Sequence, residues 1–408
     1  MKFLIPILPV TAFFACSPAQ PAEDELTIQI ANTLDHVRKD VFITLPADKI
    51  KRHHPGWDWS KAALFCQDTP IPFQTNDIDQ NGQPDEIAWV ADLDSRQSRQ
   101  LTLRSTDFPP AFPKRTQAEL SHKTGGIWED RKYIGGTFTN VTALRVPPEH
   151  TDHSAYIRYE GPGWESDKIG YRFYLDWRNA PDVFGKLTPG MTLQKIGLDD
   201  FNSYHQPSEW GMDVLRVGSS MGLGGFGSWT NGKVEKIAVA DSIFCEIVLN
   251  GPVQSMVRTR YFGWETGKGK TDLVSEMSIT AGSRLTRHDI SINESPDSLC
   301  TGLAKAPQTV FLHACSQKWG YMATWGKQSP NHELLGMAVL YPTSQFLELT
   351  ADEENYLAVL KTIDDRLSYY FLAAWEKEPG GITSLEAFER YLKETLEELE
   401  SPVSVTAE

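Results

Sequence analysis

The chain has 408 residues, which is long enough for two domains or for one large domain with an appendage. Asp and Glu outnumber Lys and Arg by 54 to 39, and the resulting net charge of −15 argues against a nucleic-acid partner, which would require a basic surface. An anionic ligand would therefore need a local positive pocket on an acidic protein.

The first fifteen residues predict a targeting segment. Lys2 precedes an apolar stretch, residues 3–15, that is too short to span a bilayer. Cys16 and the polar, proline-rich run behind it resemble a bacterial lipoprotein signal, so we expect a signal peptide over residues 1–15, lipidation of Cys16 and a tether over residues 16–24. Phe13 departs from the aliphatic residue that such signals prefer, which leaves plain secretion open. Either route predicts an exported protein. It would be periplasmic or anchored at the outer membrane, and its only contact with the membrane would be the N-terminal lipid.

Alternating strands predict a small antiparallel β domain over residues 25–107. Residues 25–31 and 39–45 alternate apolar and polar side chains, and residues 87–91 and 100–104 follow the same pattern. Proline-rich residues 108–114 cannot form a central strand and are predicted to be a linker.

Residues 77–86 have the spacing of a calcium-binding loop. Carboxylate and amide oxygens alternate along it, and Gly82 stands at the sharp turn. Such loops carry a bidentate Glu at the position of Ala88, so Asp85 or Glu86 would have to complete the coordination shell. A hairpin turn without metal is the alternative. We expect calcium in a structural role and no organic cofactor, with these ligands: Asp77, Asp79, Asn81 and Asp85.

The remainder, residues 115–402, predicts a large antiparallel β-sandwich. Its strand patterns are separated by Gly, Pro, Asn and Asp, and helical periodicity occurs only in residues 383–400. Thr383 and Glu386 have the spacing of a capping box at the start of that helix. The predicted strands include residues 233–240, 243–249, 253–261, 273–280, 285–292, 309–314, 320–324, 335–340, 346–350, 356–361 and 368–374.

Residues 150–186 are the densest in chemistry, with two histidines and eight aromatic rings. Alternation predicts neighbouring strands over residues 156–160 and 169–176, so that one face is apolar and the other polar. An exposed face with ordinary cross-strand ion pairs is one interpretation. The floor of a sugar-binding cleft is the other, because rings beside Arg and carboxylates suit a polyhydroxylated or acidic ligand. The apolar face comprises Ile169, Tyr171, Phe173 and Leu175, and the polar face comprises Tyr156, Arg158, Glu160, Arg172, Tyr174 and Asp176.

Two other motifs are candidate sites. His153 and His205 each lie near tyrosine in an aromatic segment and are candidates for acid/base chemistry. Ser220 stands in a GxSxG pattern, but the predicted loop behind it lacks the helix that a nucleophile elbow needs. We therefore expect the glycine-rich segment to be a loop that lines a cleft.

Export permits disulfides among the four remaining cysteines, for which three complete pairings exist. Cys300 and Cys315 are the closest pair in sequence, and no CxxC spacing suggests zinc. The other two are Cys66 and Cys245.

Three segments, residues 150–186, 201–222 and 319–342, resemble a group of secreted bacterial proteins known as domain of unknown function 4861. The resemblance implies a galactose-mutarotase-like supersandwich and a role in degrading polysaccharides, often those with uronic acids such as pectin. It supplies no settled reaction and no catalytic residue to transfer.

These observations favour a carbohydrate-active enzyme, most specifically a lyase on uronate-containing oligosaccharides. A lyase needs a group that neutralises the carboxylate, a base for the C5 proton and an acid for the leaving oxygen. A non-catalytic glycan-binding lipoprotein and an aldose mutarotase or epimerase are the alternatives. The expected catalytic residues are His153, His205, Tyr156, Tyr174 and Tyr204, and the expected substrate-binding residues are Arg158, Arg172, Glu165, Asp176, Trp164 and Trp177.

Overall fold

The computed structural model describes residues 25–199, 202–294, 296 and 298–408. The predicted signal peptide, Cys16 and the tether lie outside these residues. In the first part of the chain, strands β1 (Glu25–Ala31), β2 (Arg38–Pro46), β3 (Ala62–Cys66), β4 (Thr69–Pro70), β5 (Phe73–Asn76), β6 (Glu86–Leu93) and β7 (Ser98–Ser105) accompany helix α1 (Ala47–His53).

The middle of the chain continues with β8 (Thr116–Glu119), β9 (Ser121–Glu129), β10 (Lys132–Asn140), β11 (Ala143–Arg145), β12 (Gly163–Ser166), β13 (Gly170–Phe173), β14 (Pro181–Lys186), β15 (Gly211–Asp213), β16 (Leu223–Thr230), β17 (Lys233–Lys236), β18 (Ser242–Asn250), β19 (Gln254–Thr266), β20 (Gly269–Thr280) and β21 (Thr286–Ile292). The last part comprises β22 (Leu299–Ala304), β23 (Thr309–Cys315), β24 (Trp319–Gly326), β25 (Leu335–Pro342), β26 (Phe346–Ala351), β27 (Asn355–Leu360), β28 (Arg366–Trp375), helix α2 (Leu385–Glu400) and β29 (Ser404–Ala407).

The N-terminal domain is a small sandwich of two sheets. A five-stranded sheet in the order β29-β1-β7-β3-β4 faces a three-stranded sheet in the order β2-β6-β5. Alternate residues of these strands point inward, so Ile28, Ile43 and Leu64 meet Trp89 in one apolar core. The C-terminal strand β29 returns to pair with β1, a contact that the sequence did not predict because four residues are too few to show alternation.

The larger domain is built around a nine-stranded antiparallel sheet in the order β11-β18-β19-β20-β21-β28-β25-β24-β23. One face of this sheet is covered by two five-stranded sheets, β15-β14-β13-β12-β8 and β17-β16-β22-β27-β26, which share a continuous core with it. Helix α2 covers part of the other face through Phe388 and Leu392. The predicted mainly β fold, a large antiparallel sandwich behind a small one with a C-terminal helix, is confirmed.

Several local predictions were wrong. Ser384, one residue after the expected Thr383, caps α2 by accepting a hydrogen bond from the amide of Ala387 at 3.2 Å. Helix α1 was missed, and β16 is a strand where the glycine-rich sequence predicted a loop. All four described cysteines are unpaired, and Cys300 and Cys315, the closest pair in sequence, lie in β22 and β23 of different sheets. Within the described residues, no helix has the length and apolarity that crossing a bilayer requires.

Polar side chains fix the two domains against each other. Arg115, just behind the linker, donates to Asp40 of the small domain at 2.6 Å and to Asp167 of the large domain at 2.8 Å. Gln74 of β5 accepts hydrogen bonds from the amides of Val253 and Gln254, both at 2.9 Å. The linker therefore connects two domains that are in direct contact.

Candidate active site

Residues 156–160 form a turn where a strand was predicted. Tyr159 and Glu160 have φ of 39° and 70°, which a strand does not allow, and Arg158–Glu160 form one 3₁₀ turn. A Cβ on the following Gly161 would lie 1.7 Å from the carbonyl oxygen of Phe173, so only glycine lets this turn lie against β13. Left-handed residues are concentrated here, and in residues 153–160 they are His153, Ala155, Tyr159 and Glu160.

Arg172 lies at the centre of a buried polar network behind this turn. Its Nη2 donates to Asp182 at 2.7 Å, to Asp213 at 2.6 Å and to the hydroxyl of Tyr174 at 2.7 Å. Its Nη1 donates to the hydroxyl of Tyr204 at 3.0 Å. Because the Arg172 side chain is only 1% exposed and faces two carboxylates, its charge is already neutralised inside the protein.

The network controls the protonation of the carboxyl groups around it. Burial and the adjacent carboxylate of Asp182 raise the pKa of Asp213 well above 3.8, and the two groups share a hydrogen bond. Burial also disfavours ionisation of Glu160, but Arg178 and Arg172 outweigh it and hold the pKa of Glu160 at about 2. Glu160 is thus a carboxylate with little basicity at neutral pH.

The tyrosines of the network remain protonated. Burial raises the pKa of Tyr204, although Arg172 opposes this change. Burial likewise raises the pKa of Tyr174, whose hydroxyl donates to Asp182 at 2.6 Å. Both phenols therefore carry their protons at neutral pH, and Tyr174 directs its proton at a carboxylate.

A small cleft of about 10 Å³ opens in front of the network. His153 lines it, and His205 lies beside it, with its ring centroid 4.5 Å from that of the lining residue Tyr204. The His205 side chain is 48% exposed, and its Nδ1 lies 3.4 Å from Asp213 Oδ2. The His153 side chain is 52% exposed, and its Nδ1 lies 2.6 Å from Asp152 Oδ1. Burial and then Arg172 lower the pKa of His205 below 6.5. The cleft is lined by Phe138, His153, Ala155, Ile157, Tyr159, Glu160 and Tyr204.

The turn of residues 176–178 borders the same region. Arg178 pairs with Asp176, with Glu160 at 2.9 Å and with Asp152 at 3.0 Å, so it crosslinks the turn to the segment that carries His153. Asp176 is buried by this pairing and orients Arg178, whereas the indole of Trp177 points outward and is 42% exposed. Trp177 is accessible for stacking on a sugar ring.

Besides Arg172 and Asp176, three further predicted substrate-binding residues lie in the protein interior. Arg158 is paired with Glu119 at 2.5 Å, and Glu165 accepts from Lys186 at 2.6 Å, each pair being buried. Trp164 is fully buried and donates from its indole nitrogen to Thr286 Oγ1 at 2.8 Å. Their burial contradicts the predicted contact with a ligand, and each side chain stabilises the fold. The alternating pattern did not reveal this because both faces of β12 and β13 are covered.

Tyr156 belongs to an aromatic cluster on the β9–β10 hairpin, which sequence reasoning missed. Its ring centroid lies 5.0 Å from those of Trp128 and Tyr133 and 5.2 Å from that of His122. Phe138 of the same hairpin lines the cleft. The cluster places Tyr156 beside the cleft as part of an aromatic wall, and the signal for it was the aromatic pair that flanks the hairpin turn.

The predicted calcium loop has converging carboxylates. One oxygen from each of Asp77, Asp79 and Asp85 lies within 4.8 Å of the others. The amide of Gln83 donates to Asn81 Oδ1 at 2.8 Å, so this fourth predicted ligand faces the backbone. The three carboxylates fit a hard cation, and Asn81 would have to exchange one hydrogen bond to join them.

We expect calcium to stabilise the small domain against heat. A ligand that binds only the folded state raises the free energy of unfolding by about 2.7 kcal/mol when its concentration is 100 times the Kd. Melting in calcium and in chelator measures the effect, which Asp79→Asn should abolish and the exposed Asp364→Asn should leave unchanged. Equal melting temperatures of the unaltered protein in calcium and in chelator would refute calcium binding.

Comparison with known proteins shows the family. An uncharacterized protein, P7, of Formosa agariphila is 23% identical over 427 residues, covering 98% of this chain and 97% of that protein. A glycosyl hydrolase family 38 protein of Enterococcus faecalis has a TM-score of 0.44 and 9% identity, and an alpha-mannosidase of E. faecalis V583 has a TM-score of 0.43 and 8% identity. Each alignment covers 95% of this chain but only 48% and 46% of those proteins, so this chain spans about half their length. The family model described as domain of unknown function (DUF4861) matches residues 30–405, and the chain belongs to that family.

Proposed function

We propose that this protein is a carbohydrate-active enzyme that cleaves uronate-containing oligosaccharides by β-elimination. The observation that carries the proposal is the pair of half-exposed imidazoles, His153 in the lining of the cleft and His205 against the lining residue Tyr204. The four left-handed residues among 153–160 add support, because such strain persists where the surrounding structure enforces a functional arrangement.

The cleft residues can divide the proton transfers of β-elimination. His205 takes the C5 proton, since burial and Arg172 lower its pKa and favour the neutral imidazole that a base requires. The phenol of Tyr204 gives its proton to the leaving oxygen as the C4–O bond breaks and a C4–C5 double bond forms. Asp213 orients His205, and His153 lines the same cleft, where it binds the sugar or shares the acid role.

The carboxylates favour elimination over the other sugar reactions. A mutarotase needs a basic Glu beside its histidine, but the pKa of Glu160 is about 2 because Arg178 and Arg172 outweigh the effect of burial. A hydrolase needs two carboxyl groups with separate acid and nucleophile or base roles. Glu160 and Asp176 are both paired with Arg178. Glu160 and Asp176 are therefore held as ion-paired carboxylates, which supports elimination over these two reactions.

Export and anchoring complete the proposal. A signal peptide over residues 1–15 would carry the protein out of the cytoplasm, and lipidation of Cys16 would hold it at the membrane near polymeric substrates. Fatty-acid labelling that Cys16→Ser abolishes would support the anchor. Unlabelled protein in the culture medium would indicate plain secretion.

The test of the reaction is the appearance of an unsaturated uronate. We expect ultraviolet absorbance to rise when the protein is incubated with pectic, alginate or ulvan oligosaccharides, with the class of uronate deciding which of them reacts. No rise in absorbance with any of the three oligosaccharides would refute lyase activity. Polarimetry would then reveal a mutarotase, and calorimetric binding that survives in a His153→Ala/His205→Ala variant would indicate a glycan-binding protein.

A further inference from the structure

A lyase site requires a cation for the uronate carboxylate, and the two predicted arginines are already paired. Arg172 faces Asp182 and Asp213 with 1% of its side chain exposed, and Arg158 is 2% exposed against Glu119. Opening either pair to admit a sugar acid would leave a buried carboxylate without its cation. The carboxylate-binding group must therefore be another side chain near the cleft.

Lys236, at the end of β17, has the properties of such a group. Its Nζ donates to the carbonyl oxygens of Ser219 and Ser220 at 2.8 and 3.1 Å. An ammonium group has three donors, so one remains after these two bonds. Among the described residues, no carboxylate forms an ion pair with Lys236 within 4.0 Å. The glycine-rich loop that sequence analysis expected to line a cleft thus holds a cation whose charge is not neutralised by a direct partner.

Lys236 adjoins an exposed aromatic ring. Its Nζ lies 5.5 Å from the ring centroid of Trp177, which is 42% exposed. Trp177 lies between Asp176 and Arg178, and Arg178 joins this turn to Asp152, the partner of His153. Arg178 and Asp152 therefore connect the turn that carries Trp177 to the segment that carries His153.

We propose that Trp177 and Lys236 form a subsite for one uronate residue, in which the indole stacks on the sugar ring and the ammonium binds its carboxylate. The proposal rests on the proposed function for its place in a lyase, and it names the acid group as the feature of the substrate that is recognised. Aromatic faces beside a few oriented polar groups are the usual make-up of ligand sites.

The electrostatics of Lys236 give the subsite a pH dependence. Burial lowers the pKa of Lys236 to about 8, while Glu354 and Asp176 oppose this change and Arg178 adds to it. The ammonium form is present below that pKa and is lost as the pH rises through it. Affinity for the acid should consequently fall above about pH 8, while affinity for an uncharged analogue should not.

The test compares oligosaccharides of galacturonate, guluronate and glucuronate with their carboxyl methyl esters in calorimetric titrations. Lys236→Met should weaken binding of the preferred acid roughly 10- to 100-fold, the effect of losing a hydrogen bond to a charged group, and should leave the ester unchanged. Lys236→Arg should restore preference for the acid. Trp177→Ala should weaken acid and ester alike, and Lys233→Met on the same strand should change neither.

Two results would overturn the subsite. The first is that the Lys236→Met variant prefers the acid over the ester by the same factor as the unaltered protein. The second is that the unaltered protein binds neither the acid nor the ester oligosaccharides. Failure of the lyase is distinguishable from both. Suppose that the unaltered protein forms no unsaturated product but prefers the acid over the ester, and that the Lys236→Met variant lacks this preference. The subsite would then be supported, and the assignment of the reaction would be refuted.

Discussion

Replacing Arg172 with methionine is expected to lower the free energy of unfolding of the large domain by about 3–5 kcal/mol. The substitution leaves Asp182 and Asp213 buried without their cation and removes the donors to Tyr174 and Tyr204. Methionine fills much of the volume of the arginine stem, so lost packing is a minor part of the change. Urea unfolding followed by tryptophan fluorescence measures it.

The control is Arg52→Met, at an ion pair with Asp48 whose side chains are 72% and 62% exposed. Solvent screens such a pair, so we expect its stability to match that of the unaltered protein. If Arg172→Met were equally stable, the buried network would not contribute to stability, and Arg172 would become available again as a ligand for the substrate carboxylate.

Strands that are half covered could be predicted from the sequence. Strand β1 begins and ends at the predicted residues, and β20 and β21 differ from prediction by a few residues at their starts only. Strand β16 was missed because LGGFGSWT is largely buried on both faces and shows no alternation. Residues 156–160 alternate but form a turn, because the ion pairs of Arg158 and Glu160 outweigh local propensity.

The site could be predicted as a region but not as a set of roles. Aromatic and histidine density located residues 150–186, and His153 and Tyr204 do line one cleft, with His205 packed against Tyr204. The partners of Arg172 come from β14 and β15, 10 and 41 residues further along the chain. A pattern within one segment cannot show that such partners already neutralise its arginine, so sequence reasoning assigned Arg172 to the substrate.

The second large effect is expected in activity, at His205. If His205 is the base for the C5 proton, His205→Ala should lower kcat on the active oligosaccharide by roughly 10²- to 10⁴-fold, the usual contribution of a positioned acid or base. The fold should survive because the side chain is 48% exposed. His313→Ala is the matched control, since that exposed histidine lies on the edge strand β23.

The pH profile distinguishes a base from a residue that only positions the sugar. Burial and then Arg172 lower the pKa of His205, so its neutral form predominates above that pKa and is lost as the pH falls through it. Activity should therefore be retained at neutral pH and decline on an acid limb centred below 6.5, the ordinary value. His205→Ala should remove that limb from its residual activity. A variant that keeps the limb while KM alone rises would assign the proton transfer to His153 and leave His205 as a contact to the sugar.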